Sequence, residues 1–291
     1  MRFVSKQAHP CRSRIVVKLP TYIKTQAANS AVNNDTLFFN SVVPLYAGPV
    51  FSAALILLPI LILAQYVRRD YRAFIALGPG GTPSTPRGYL RICVLRLFTL
   101  RNPLHPPAVA PTLSPQQGIL TSDRLPARNG SRPRVAGIAP QRQVTQQGDS
   151  AAYESLAAAL RRLAHSHPEK LYTATSCFEK HSTGVFVHAA ARVRPTCSGE
   201  VCHAHPSDGS LHLTLHPADV RLVLDRGWGQ RHPLAREGWW WRRAKFVPPG
   251  FVMVYAPRDA KELRSVLEIV RAAAWWVSGR ELALPDVPAD R

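Results

Sequence analysis

An α+β fold, a small antiparallel sheet flanked by helices and preceded by one transmembrane helix, is predicted by three features of the 291-residue sequence. A 26-residue stretch, 42–67, carries no charged side chain. Short alternating apolar runs follow residue 180, and helix-periodic segments at 151–164 and 259–277 bracket them. Hairpin-linked strands between two amphipathic helices give an α+β domain rather than a parallel α/β sheet. The expected organisation is a basic, disordered tail (1–41), a transmembrane helix (42–67), a membrane-proximal Arg/Pro-rich segment (68–149), the α+β domain (150–282) and a short tail (283–291).

The tail holds Arg2, Lys6, Arg12, Arg14, Lys18 and Lys24 with no acid before Asp35. Mitochondrial presequences share that composition. The apolar stretch that follows is long enough to cross about 30 Å of hydrocarbon, with Tyr46 and Tyr66 near its ends. On its C-terminal side stand Arg68, Arg69, Arg72 and Arg87, against Lys24 on the other, so the C-terminal domain is expected in the cytosol. The endoplasmic reticulum is then the default membrane, and the mitochondrion the alternative if the tail is a working presequence. Within 68–149, residues 89–98 are expected to form an amphipathic helix on the membrane surface, and the Gly/Pro-rich runs to form loops.

In the domain, Tyr153, Leu156, Leu160 and Leu163 mark one stripe of a first helix. Strands are expected at 183–193, 200–205, 210–216 and 251–255. Pro217 opens a short helix that Gly227 stops, and a last helix starts at Asp259 with Glu262 completing a capping box.

Net charge of +19 raises nucleic-acid binding as a function class. It is set aside because the excess sits beside the apolar span: twelve arginines face only Asp70 and Asp123 between Arg68 and Thr145. No nucleic-acid-binding motif spacing accompanies them. Five cysteines with no CxxC point to neither a disulfide framework nor a thiolate zinc site.

Six of the eleven histidines lie between His181 and His216. On a strand, His203 and His205 face one side, and in 211–215 the leucines alternate away from His212. If the Pro206–Gly209 turn pairs these strands, three imidazoles share a face with Glu200 nearby. Three readings fit: a solvated sheet face, a divalent-metal site on His203, His205 and His212, or a pocket with neutral imidazole as general base. The segment 227–235, GWGQRHPLA, reads as a sharp loop offering Trp228 as an apolar wall, Arg231 as an anion holder and His232 as a further base; Trp228 in the core is its structural alternative.

Taken in order, Arg68-Arg-Asp-Tyr71, Gly78-Pro, Arg87-Gly-Tyr, Asp123-Arg-Leu-Pro126, Gln141-Arg-Gln143, Leu211-His-Leu213, the GWGQRHPLA segment and Tyr255-Ala-Pro-Arg258 resemble the fungal luciferase family over about residues 50–280. The resemblance implies a cofactor-independent oxygenase in which O2 is co-substrate and a hispidin-type α-pyrone, or a related phenolic, is oxidised with loss of carbon dioxide. It implies His203, His205, His212 or His232 as base, Arg231 near an enolate, and Trp228, Glu200 and Tyr255 among the substrate-binding residues. The turn at 205–210 and the insert at 237–243 depart from the luminous pattern, so the resemblance extends to the domain and not to light emission. Other classes kept open are a non-catalytic, membrane-anchored small-molecule binder and a metal-dependent enzyme using the HxH strand. The expected partners are a small molecule and a membrane, not a nucleic acid.

Overall fold

The computed structural model describes residues 43–238 and 247–285. The tail 1–41, the Trp239–Arg243 cluster and the last residues of the C-terminal tail lie outside the described residues. The chain divides after Ile60 into two units, the described part of the first being the start of helix α1 (Val43–Ala76). Of that helix, Phe51–Ala76 is long and apolar enough to cross a membrane, and its apolar stretch is exposed rather than buried. The helix does not stop at Arg68-Arg69. It continues to Ala76 because Phe74, with Tyr71 and Ile75, packs against Tyr89, Ile92 and Leu95 of α2 (Pro86–Arg96), a small core that also takes in Ile138 and Leu234. The extension is therefore a tertiary effect.

Next come a two-stranded ribbon, β1 (Val135–Gly137) with β2 (Gln141–Gln143), and α3 (Ser150–Ser166), which Asp149 caps by accepting from the Ala152 N–H. The main sheet has six antiparallel strands in the order β3-β4-β5-β6-β8-β7. They are β3 (Leu171–Thr175), β4 (Thr183–Val187), β5 (Glu200–Ala204), β6 (Leu211–Thr214), β7 (Gly229–Arg231) and β8 (Phe251–Val254). Helix α4 (Pro217–Asp225) follows β6, and α5 (Ala260–Ser278) closes the domain. Asp259 caps α5 as expected, accepting from the Glu262 N–H, and Glu262 accepts in return from the Arg258 N–H.

Strand alternation sorts the sheet into two faces. Val185, Val187, Leu211, Leu213, Val252 and Val254 join Leu156, Leu160 and Leu163 of α3 and Val266, Leu267 and Val270 of α5 in the main core. The other face carries His203, His205, His212, Phe251 and Met253. It is not a solvated face: His203, His205 and His212 are 1%, 0% and 5% exposed. Its cover comes from 68–149, which its composition marks as a separate membrane-proximal stretch but which folds into the same unit as the sheet. Within it, Leu120 and Leu125 enter the main core, and Gln141 and Gln143 bond to residues of the β5–β6 hairpin.

Four of the strands leave little trace in the sequence. β3 is a half-exposed edge, and β1 and β2 have three residues each, too few to show a period. β7 lies in the segment whose glycines suggest a loop. It pairs with β8, and at Gly229 a Cβ would collide with the Met253 carbonyl oxygen, so glycine there is a packing requirement.

Candidate functional site

The β5–β6 hairpin sets the centre of the site. His203 lies opposite His212 in the register, and the turn closes with the His205 N–H donating to the Ser210 carbonyl and the Gly209 N–H to the His205 carbonyl. Gly209 has φ +71°, the left-handed conformation such a turn needs. Asp208 is fully buried and stitches the turn to the ribbon, one oxygen accepting from the Ser210 N–H and hydroxyl and the other from the Gln143 N–H.

Each of the three imidazoles is oriented by an oxygen acceptor on one ring nitrogen. His203 Nδ1 stands 2.5 Å from Glu200 Oε1, and that carboxylate also accepts from the Ser176 hydroxyl and the Cys177 N–H. His205 Nδ1 lies 2.9 Å from Ser210 Oγ, whose own proton goes to Asp208 at 2.6 Å. His212 Nε2 lies 2.9 Å from Gln141 Oε1. A carboxylate, a hydroxyl already donating elsewhere and an amide oxygen can only accept, so the ring proton sits on that nitrogen in each case. The remaining nitrogens, His203 Nε2, His205 Nε2 and His212 Nδ1, turn toward one another. One ligand atom from each ring falls within 4.8 Å of the others, and His203 Nε2 is 3.4 Å from His212 Nδ1.

Electrostatics favour the neutral form of His205 and His212 and the ionised form of the carboxylates behind the cluster. Burial, then the neighbouring histidines, push His212 well below its ordinary pKa; burial likewise lowers His205, against the opposing pull of Asp208. Burial alone would raise the carboxyls of Glu200 and Asp208. The hydrogen bond and charge of His203 beside the first, and the nearby His205 ring (Nδ1 3.7 Å away) with the hydrogen bonds from Ser210 at the second, outweigh it and hold both below the usual range.

A cavity of about 320 Å³ opens onto this cluster, bounded by His203, His212, His232, Gln141, Phe178 and Phe251. That volume lies at the small end of ligand-binding cavities. His212 stacks on Phe251 with ring centres 5.1 Å apart, and Phe178 lies 4.8 Å from Phe251, so two phenylalanines form one part of an apolar wall that Leu95, Ile138, Leu234 and Val247 complete. A larger concavity of about 580 Å³ lies between α3 and the start of α5. Its walls are helix-surface side chains such as Asp149, Glu154 and Arg162, with no histidine, so it offers no chemistry comparable to the buried cluster.

The structure thus gathers Glu200, His203, His205 and His212 but disperses the other residues that the sequence nominates for the site. Trp228 is a core residue, 2% exposed, with its indole N–H donating to the Pro126 carbonyl. Arg231 donates to the carbonyls of His105, Ala235 and Pro249, tying loops to β7. Tyr255 is buried, its hydroxyl 3.3 Å from Gln230 Oε1 and its ring under Arg128. His232 borders the cavity, yet both its nitrogens are engaged, Nε2 donating to the Ile138 carbonyl at 2.8 Å and Nδ1 accepting from the Leu234 N–H. Burial pushes its pKa down to about 4. Gln141, Asp208 and Ser210 do not stand out as site residues in the sequence, although Asp-Gly-Ser in the turn and Gln141-Arg-Gln143 in the resemblance are both visible there.

The sequence model of the Luciferase domain family matches residues 198–273, the span holding the histidine hairpin, β7, β8 and most of α5. The chain is 32% identical over 236 residues to a luciferase of Neonothopanus nambi, covering 73% of this chain and 81% of that protein. It is 34% identical over 238 residues to a luciferase of Armillaria ostoyae, covering 73% and 82%. The chain belongs to the fungal luciferase family. No solved structure matches it. In this family member the aligned length exceeds the matched domain by far, in keeping with a fold in which 68–149 covers one face of the sheet.

Proposed function

We propose that this luciferase-family chain is an oxygenase that oxidises a hispidin-type α-pyrone with O2, held on a membrane by α1 with its catalytic unit in the cytosol, the endoplasmic reticulum being the expected membrane. The observation that carries the reading is the half-open cavity, walled in part by Phe178 and Phe251, onto which carboxylate-backed imidazoles open. A hydroxypyrone reacts directly with O2 only as its electron-rich enolate. Both oxygen atoms end in C–O bonds while CO2 leaves, so the reaction balances without external electrons and requires neither flavin nor haem.

Three demands follow for the protein: the enolate must be favoured, a positive charge must stand beside it, and water must be kept out. His203, directly backed by Glu200, is placed to take a proton from the substrate hydroxyl, and the His203, His205 and His212 cluster with Glu200 and Asp208 behind it is suited to hold a bound cation as the alternative source of positive charge. The burial of all five side chains serves the third demand.

The test is oxygen uptake and photon emission measured together on the full chain in membranes supplied with 3-hydroxyhispidin, beside a His203→Ala, His205→Ala double variant. Uptake that is lost in a folded variant supports the reading, and light in addition would make the enzyme luminous. A folded wild-type chain that consumes no oxygen refutes it.

A further inference from the structure

The convergence of three imidazole nitrogens without a proton among them calls for its own explanation. With Glu200, Ser210 and Gln141 each accepting one ring N–H, the cluster presents three lone pairs to a common point. Two of them, His203 Nε2 and His212 Nδ1, are 3.4 Å apart, and no donor stands between. The third, His205 Nε2, is fully buried and has no hydrogen-bond partner among the described residues. Lone pairs brought together in a dry interior repel, and a buried acceptor without a donor costs about 1–3 kcal/mol. A cation at the point of convergence removes both penalties.

We propose that His203 Nε2, His205 Nε2 and His212 Nδ1 bind a divalent first-row transition metal, with an open coordination position toward the cavity. Metal–imidazole bonds of about 2.0–2.1 Å in tetrahedral array place neighbouring ligand nitrogens about 3.3 Å apart, close to the separation across the β5–β6 pair. All three donors are imidazole nitrogens, which suit zinc, iron, copper or nickel and not magnesium or calcium. The surroundings are those a metal-bound histidine has: every ring is held from behind by a hydrogen bond to oxygen, two of these ending on the carboxylates of Glu200 and Asp208. His203 and His212 line the cavity, so the open position faces the space where a ligand sits. A vicinal pair of oxygens, as in a hydroxypyrone or a catechol, is the chemistry that would fill it. That last step alone rests on the oxygenase reading.

The full chain, purified in detergent without chelators, is expected to carry about one equivalent of such a metal by elemental analysis. After stripping, titration with Co²⁺ is expected to give visible absorption bands of a low-symmetry nitrogen site. His205→Ala and His212→Ala should abolish those bands. Ser210→Ala, which removes only the support behind His205, should weaken Co²⁺ binding about 10–100-fold. A wild-type chain that neither retains metal nor binds Co²⁺ overturns the proposal, as does metal that stays bound in both folded histidine variants. If those variants do not fold, Ser210→Ala decides, and unchanged affinity overturns it. Oxygen uptake is read separately on the same preparation. Its absence beside bound metal counts against the oxygenase reading and leaves the metal site standing.

Discussion

The buried, neutral state of His232 has a consequence for stability that can be worked through. In the folded chain its pKa lies at about 4, whereas unfolding returns it to about 6.5. Between those values the unfolded state binds a proton that the native state refuses. Stability is therefore fully present above about pH 6.5 and falls as pH drops toward 4. At pH 5.0 the loss from this one residue is about 2 kcal/mol relative to pH 7.5. His205 and His212 shift in the same direction and add to the slope. Glu200 and Asp208 contribute the same sign only at lower pH, as their depressed carboxyls are reached. The perturbation is His232→Gln, which keeps an N–H for the Ile138 carbonyl and cannot titrate. The assay is urea unfolding of the full chain in detergent micelles at pH 7.5 and 5.0, wild type beside variant. The variant's drop in stability between the two pH values should be smaller by about 2 kcal/mol. Equal drops in the two proteins would refute the reasoning, because His232 would then not be held neutral by the fold.

Five further outcomes are expected. Phe74→Ala, at a position 3% exposed in the α1–α2 core, should cost about 3–5 kcal/mol in chemical unfolding, while truncation before Arg68 should release a stable unit from membranes in a fractionation assay. Gly118→Ala should lower the melting temperature, since its Cβ would collide with Asp219 Oδ1 and drive that carboxylate off the Ile119 and Leu120 N–H groups; an unchanged melting temperature counts against this contact. Arg142→Ala should cost about 3–5 kcal/mol by leaving Glu179 buried without its partner, and Arg142→Met with Glu179→Leu should recover most of that loss on the same unfolding curve. Trp228→Phe should reduce stability by about 1–2 kcal/mol through the lost bond to Pro126 and, on the proposed oxygenase function, leave KM for the pyrone unchanged, whereas a raised KM would return Trp228 to the substrate site.

Local chemistry is legible in the sequence. The apolar span, the Asp259 cap, the Pro217 helix start and the leucines alternating away from His212 all depend on neighbours within a few residues, and all reappear in the structure. So does the convergence of His203, His205 and His212, because a two-residue period and one tight turn suffice to bring them together. What covers that face is not legible. The Gln141 bond to His212 spans 71 residues and the Gln143 bond to Asp208 spans 65, and no periodicity encodes a partner at that distance. The same holds for Trp228 and Arg231. An indole and a guanidinium in a glycine-flanked segment read as binding groups until the chain folds, when β7 pairs with β8 and both side chains find backbone carbonyls instead. Sequence by itself determined which residues have the chemistry and which strand face holds it. Only the tertiary structure decided whether that face meets water or protein, because burial is set by segments remote in the chain, and burial turns three histidines into a site.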